Sequence, residues 1–313
     1  MHKKKKIYGL IVSVAAFILC LLFFEIVLRL TYPLYANYNT EMWKYASKMK
    51  QISYGDSCHS HLPETSMNLY GAKITINSQG LRSEYNYSIE KTKKRVILLG
   101  DSITLGWGVQ NNETFSKVLE NYLGENYEVI NAGVGNYNTY CEYFSLKKYS
   151  YLNPDLIIVG FYLNDFEQIK YPSKISYFFI KNSYIYSFFF DKLSSIPRGH
   201  YVDFYKKNFE NSNNQKIVED SLHKISVYAK EKNIPLVLAN FPEFHKFEEY
   251  EFYEINNYLE FLSKENDIQY IDLLEAFENV DPKSLRISNE DYHPNAKGHK
   301  IIAKFIYEKI HLE

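Results

Sequence analysis

The chain has 313 residues, with 36 Lys+Arg against 37 Asp+Glu and a formal net charge of −1, so outside the first residues it lacks the basic stripe that nucleic-acid binding needs. Hydrophobic residues make up 46% and charged residues 23%, which excludes a disordered chain and fits one large domain or two small ones. Three cysteines, Cys20, Cys58 and Cys141, exclude a disulfide-dense scaffold and a four-thiolate zinc site.

The N-terminus opens with Lys3, Lys4, Lys5 and Lys6, and Ile7 to Phe24 then runs 18 residues without a charge. At ~1.5 Å per residue such a helix approaches the thickness of a bilayer core of ~30 Å. The lysines predict a cytoplasmic N-terminus and an extracytoplasmic chain after Arg29, a single-pass topology rather than a nucleic-acid patch. Leu21 to Leu34 offers no small-x-small cleavage site, and Cys20 follows Leu19, so the reading is a retained anchor over 1–32 rather than a cleaved signal peptide. Glu25 and Arg29 stand four apart, on one helical face, where they can pair.

Residues 33–93 read as an irregular juxtamembrane segment packing on the main domain, with one period-two stretch at 72–76 ending in the turn signal Asn77-Ser78-Gln79-Gly80. Within it, Gly55-Asp56-Ser57 follows no strand and is assigned no role. Cys58-His59-Ser60-His61 is three potential ligands in a loop without a fourth, which is weak as a metal site. A Cys58–Cys141 disulfide is compatible with an extracytoplasmic chain, but spacing does not decide it.

From residue 94 the pattern changes. Short apolar runs at 95–99, 127–131, 155–160, 235–240 and 268–272 alternate with helical stretches near 114–123, 138–150, 216–231, 249–264 and 295–310. That alternation predicts a three-layer α/β/α, flavodoxin-like sandwich on a central parallel sheet over 94–313, with chemistry at the carboxyl ends of its strands. An aromatic insertion at 171–210 interrupts the rhythm; its run 175–190 carries one charge, Lys181, and reads either as a cover helix on the core or as a lid or interfacial element.

The strand ends carry polar residues. The first ends in Gly100-Asp101-Ser102, the second in Asn131-Ala132-Gly133-Val134-Gly135-Asn136 and the third in Tyr162-Leu163-Asn164-Asp165; Asp291-Tyr292-His293 precedes the last helix. A serine, a base with an orienting carboxylate, and a set of amide donors at one rim are what acyl transfer at serine requires. Asp101 and Asp165 read as turn-shaping residues, and His299 as a surface or packing residue. There is no G-x-S-x-G elbow, phosphate-binding loop or dinucleotide fingerprint, so no cofactor or metal is implied.

These blocks resemble those of the SGNH (GDSL-type) hydrolase family, in order and approximate spacing, over about residues 94–310. The resemblance implies Ser102 as nucleophile, His293 as base and Asp291 as its orienting partner. It implies an oxyanion hole from the Ser102 backbone, the turn Gly133, Gly135 and Asn136, and the Asn164 side chain. The second block departs from the family pattern, since Asn136 stands where many members place the oxyanion glycine. The N-terminal anchor and the stretch Asn77-Ser78-x-Gly80-Leu81-Arg82 resemble membrane-anchored members. The expected function is O-acyl ester hydrolysis, of an acetyl group on a carbohydrate or lipid, at the outer face of a membrane. The alternatives are an O-acyltransferase on an envelope or extracellular polysaccharide and a non-catalytic glycan-binding module.

Overall fold

A computed structural model describes residues 2–34, 38–52, 58–194 and 201–310. The first part of the chain forms α1 (His2–Thr31), α2 (Tyr38–Lys48), β1 (Lys50–Gln51), β2 (Ser60–His61), β3 (Thr65–Leu69) and β4 (Ala72–Ile76). The middle forms β5 (Lys94–Gly100), α3 (Ser102–Leu105), α4 (Phe115–Leu123), β6 (Tyr127–Asn131), α5 (Thr139–Tyr149), β7 (Leu156–Phe161), α6 (Lys174–Asn182) and α7 (Tyr184–Ser194). The last part forms α8 (Tyr201–Glu210), α9 (Ser212–Lys232), β8 (Leu236–Asn240), α10 (Tyr253–Asn266), β9 (Gln269–Asp272) and α11 (Ala296–Lys309). The Gly55-Asp56-Ser57 stretch lies outside the described residues.

The five apolar runs pair as one parallel sheet in the order β6-β5-β7-β8-β9. Side chains alternate across it, as the pleat demands. Ile97 and Leu99 enter a core with Leu146 of α5, Leu222 of α9 and Leu259 of α10, while Val96 and Leu98 enter the opposite core with Leu119 of α4 and Ile302 of α11. Both faces are buried, which is why these strands read as continuous apolar runs rather than alternating ones. The result is the expected three-layer α/β/α sandwich. The register sets Gly100 beside Gly160 and Leu98 beside Asn131, so the ends of β5, β6 and β7 open on a common edge.

The chain divides into two compact units, Met1–Lys48 with Tyr171–Ile196, and Met49–Lys170 with Pro197–Glu313. The segment expected at 33–93 therefore parts at Lys48, and only 171–196 of the insertion leaves the sandwich unit; α8 stays within it. In the helical unit, α1 is long and apolar enough to cross a membrane over Lys5–Thr31, and its span window is fully exposed. Its Arg29 pairs with Glu25 at 2.8 Å, as the i, i+4 spacing predicts.

In the sandwich unit, the residues before β5 are built into the fold. β3 and β4 form a hairpin closed by Tyr70 and Gly71, both at positive φ, the two-residue geometry that matches strand twist. Asn77 Oδ1 then accepts the backbone N–H groups of Gln79 and Leu81, turning the chain so that Arg82 is buried. The Arg82 guanidinium donates to the carbonyl oxygens of Leu105 and Val109, each at 2.6 Å, and to that of Gly106. It thereby fixes the loop that follows Ser102.

Candidate active site

β5 delivers Ser102 through a tight turn. Gly100 has φ +153°, and a Cβ there would sit 2.1 Å from Thr104 Oγ1, so only glycine fits. Asp101 caps α3, its Oδ1 accepting the Ile103 N–H at 2.8 Å. Ser102 is 6% exposed, and its Oγ lies 2.8 Å from His293 Nε2. His293 Nδ1 donates to Asp291 Oδ1 at 2.5 Å, which fixes the tautomer with Nε2 facing the serine. Asp291 Oδ2 accepts the indole N–H of Trp107 at 2.7 Å.

Electrostatics suit a base. Burial works against a charged His293 ring, but the charge and hydrogen bond of Asp291, with the charge of Asp101, outweigh it and hold the imidazole above its usual 6.5. Burial likewise opposes the Asp291 carboxylate, yet His293 and the Trp107 indole hold it below the ordinary carboxylate range. The loop carrying this pair is stapled down. Tyr292 stacks on His245 with ring centroids 3.4 Å apart, and Arg286 lies 4.4 Å from the Tyr292 ring while donating to the carbonyls of Phe244 and His245.

The donors expected for an oxyanion separate into different roles. The Gly133 N–H already donates to Asn131 Oδ1 at 3.0 Å, so it is engaged in the turn and is not a spare donor. Glycine is needed there for space, because a Cβ would meet Leu105 N at 2.4 Å. The Gly135 carbonyl accepts from His59 Nε2 and from Lys50 Nζ, both at 2.9 Å. Burial, reinforced by the Lys50 charge, lowers His59 to about 2, so its ring is neutral and donates through Nε2. Asn136 follows at φ +68° and is exposed. Among the described residues no peptide bond is cis, so the Asn136 N–H points opposite to the carbonyl that His59 and Lys50 hold. Asn164 Nδ2 donates to Asp101 Oδ2 at 2.9 Å, and its Oδ1 is buried without a protein partner.

The remaining polar residues are structural. Asp165 accepts the Tyr162 N–H and the Thr139 hydroxyl, and burial lifts it to about 8. His299 is fully buried rather than on the surface, stacked on Phe115 and accepting its N–H, and burial lowers it to about 3. Cys58 is bonded to Cys141, so its sulfur is not a free thiolate ligand beside His59 and His61. Sequence reasoning missed Trp107, Arg82, Lys50 and Tyr292. Trp107 had a signal, a rare indole a few residues past the serine and flanked by Gly106 and Gly108.

A serine hydroxyl on an imidazole held by a buried carboxylate, at the carboxyl edge of a parallel sheet, is the arrangement of a serine hydrolase. Comparison with known proteins narrows the class. Residues 98–301 match the model of the GDSL-like lipase/acylhydrolase family, and the chain belongs to that family. It is a hydrolase acting on ester bonds. A search of curated proteins gives no match. Among solved structures it is similar to TesA (12% identity, 69% of this chain and 97% of that one, TM-score 0.46). It is also similar to a catalytic mutant of Axe2, an acetylxylan esterase from Geobacillus stearothermophilus (12% identity, 72% and 98% covered, TM-score 0.46). A third is the lipase/acylhydrolase from Enterococcus faecalis (17% identity, 69% and 95% covered, TM-score 0.43).

Proposed function

We propose that the protein is a serine O-acyl esterase that removes a short acyl group, such as acetyl, from a carbohydrate or lipid ester at the outer face of a membrane. The observation that carries it is the chain Ser102 Oγ, His293, Asp291, with separations of 2.8 and 2.5 Å. His293 takes the Ser102 proton as Oγ attacks the ester carbonyl, and the imidazolium is stabilised by Asp291. The oxyanion is met by the N–H groups of Ser102 and Asn136 and by the Asn164 amide, whose second N–H is directed away from Asp101. His293 then protonates the departing alcohol. Water, deprotonated by the same ring, cleaves the acyl-enzyme. Low exposure of Ser102 favours a small acyl group.

The membrane location is supported by the lysine run at the start of α1, which favours a cytoplasmic N-terminus, and by the Cys58–Cys141 disulfide, which suits an oxidising compartment. The test is hydrolysis of p-nitrophenyl acetate by the detergent-solubilised full chain and its Ser102→Ala variant. Turnover lost with Ser102 supports the acyl-enzyme. Turnover unchanged in Ser102→Ala removes the serine from the mechanism, and a well-folded wild type without turnover favours an acyltransferase that needs its own donor.

A further inference from the structure

α7 does not merely follow α6; it is bolted to α1. Glu25 of α1 accepts from the first turn of α7, through the Ser183 hydroxyl at 3.1 Å and the N–H groups of Tyr184 and Ile185 at 3.0 Å each. Further along, Ile185 and Phe189 share an apolar groove of about 580 Å³ with Leu19, Cys20, Leu21, Phe23 and Phe24. From Glu25 to Leu19 is about 9 Å along α1, and from Tyr184 to Phe189 about 7.5 Å along α7. The two helices therefore run side by side in opposite directions, and Phe189 lies level with residues 19–23. Those residues belong to the uncharged stretch 7–24.

The turn between α6 and α7, level with Glu25 at the outer end of the span, has its backbone groups met by protein partners, as the border of a hydrocarbon environment favours. The Ile180 carbonyl accepts from Trp43 Nε1 and the Ser187 hydroxyl. The Asn182 carbonyl accepts from Arg29, and the Phe178 carbonyl from Asn182 Nδ2. Glu25 takes the N–H groups at the start of α7. Outward, the same hairpin leaves large apolar side chains uncovered: Ile175 72%, Phe178 60% and Phe189 53% exposed, comparable with Phe23 of the span at 70%. Tyr32, Trp43 and Tyr184 pack edge to face above them, with Arg29 5.2 Å from the Tyr184 ring. Aromatics with polar tips beside a cation mark a membrane interface.

We propose that α6 and the Tyr184–Phe189 part of α7 form an aromatic hairpin lying in the outer leaflet alongside α1, with lipid acyl chains as the occupant of its exposed face. The inference rests on the reading of α1 as a membrane span. The test uses the full chain in a Cys20→Ala background, reconstituted into phosphatidylcholine–phosphatidylglycerol vesicles. Nitroxides are placed at Phe189→Cys and Phe178→Cys, with Phe17→Cys as the span reference and Lys232→Cys as the aqueous one. Collision rates are measured with oxygen, which partitions into lipid, and with a water-soluble nickel chelate. The expected result is a Phe189 label with the high oxygen and low nickel accessibility of Phe17, and a Phe178 label of shallower depth. Nickel accessibility at Phe189 equal to that at Lys232, with Phe17 in lipid, overturns the hairpin while leaving the span. A Phe17 label open to nickel overturns the span itself. Protection of Phe189 from both probes means that protein, not lipid, covers the face, and also overturns the proposal.

Discussion

His59→Phe offers a direct probe of how the 133–136 turn, proposed to offer the Asn136 N–H to the oxyanion, is held. The substitution keeps an aromatic ring against Tyr137, whose centroid lies 5.1 Å away, and removes the ring nitrogens, among them the N–H that reaches the Gly135 carbonyl. One intramolecular hydrogen bond is worth about 0.5–1.5 kcal/mol net, and each 1.36 kcal/mol is about tenfold in rate. If the whole of that goes into the orientation of the adjoining Asn136 N–H, kcat falls about 2- to 12-fold. Lys50 Nζ, 2.9 Å from the same carbonyl, is left in place by this variant. Adding Lys50→Met removes the second donor, and the loss should approach the limit for an absent oxyanion donor, about 10²–10³ in kcat. Because the donor acts on charge that exists only in the transition state, KM should stay near wild type. The assay is steady-state p-nitrophenyl acetate hydrolysis, paired with a thermal melt. A double variant whose kcat stays within about twofold of wild type while its Tm drops would show that the two side chains only support folding, and the reasoning would be wrong.

Three further outcomes are expected. Since Asp291 holds His293 above 6.5, kcat/KM should rise with pH through an apparent pKa above that value, and Asp291→Asn should move the limb to lower pH as well as reduce the rate; a limb that stays in place separates Asp291 from the base. The same raised pKa means that the native state binds the proton more tightly than the unfolded chain. Its contribution to stability is full below about 6.5 and fades as pH rises through the native value, a difference that His293→Gln should erase in denaturant melts at pH 6 and pH 9. Reducing the Cys58–Cys141 bond, which closes a sequence separation of 83 residues, should destabilise the sandwich unit by about 2–5 kcal/mol and lower Tm; an unchanged melt after reduction, verified by thiol titration, contradicts it.

What the sequence disclosed follows from how local each signal was. The five strands were legible because strands buried on both faces become runs of Val, Ile and Leu. Ser102 and His293 stood out as candidates because Ser102 directly follows β5 and His293 shortly precedes α11, at the sheet's carboxyl edge where such groups gather. Gly133 was misplaced as a donor because a side chain two residues earlier, Asn131, captures its N–H, and that choice depends on how the turn closes. His59 and Lys50 reach Gly135 across 76 and 85 residues, a distance no pattern in either segment encodes. The aromatic run at 175–190 announced an apolar element, but its partner, Glu25 of α1, lies about half the chain away.

Arg82 has a consequence for where this enzyme begins. The family match starts at residue 98, yet the guanidinium that braces the loop behind Ser102 belongs to the chain before β5, as do Lys50, His59 and Cys58. A fragment cut at the family boundary would carry every residue of the Ser102–His293–Asp291 chain and still lack its scaffolding. Three carbonyl oxygens at 105, 106 and 109 would lose their common donor, and the Gly135 carbonyl would lose Lys50 and His59. The compact sandwich unit starts at Met49, well before residue 98, and alignments trimmed to the catalytic blocks leave out the side chains that brace the loop behind Ser102.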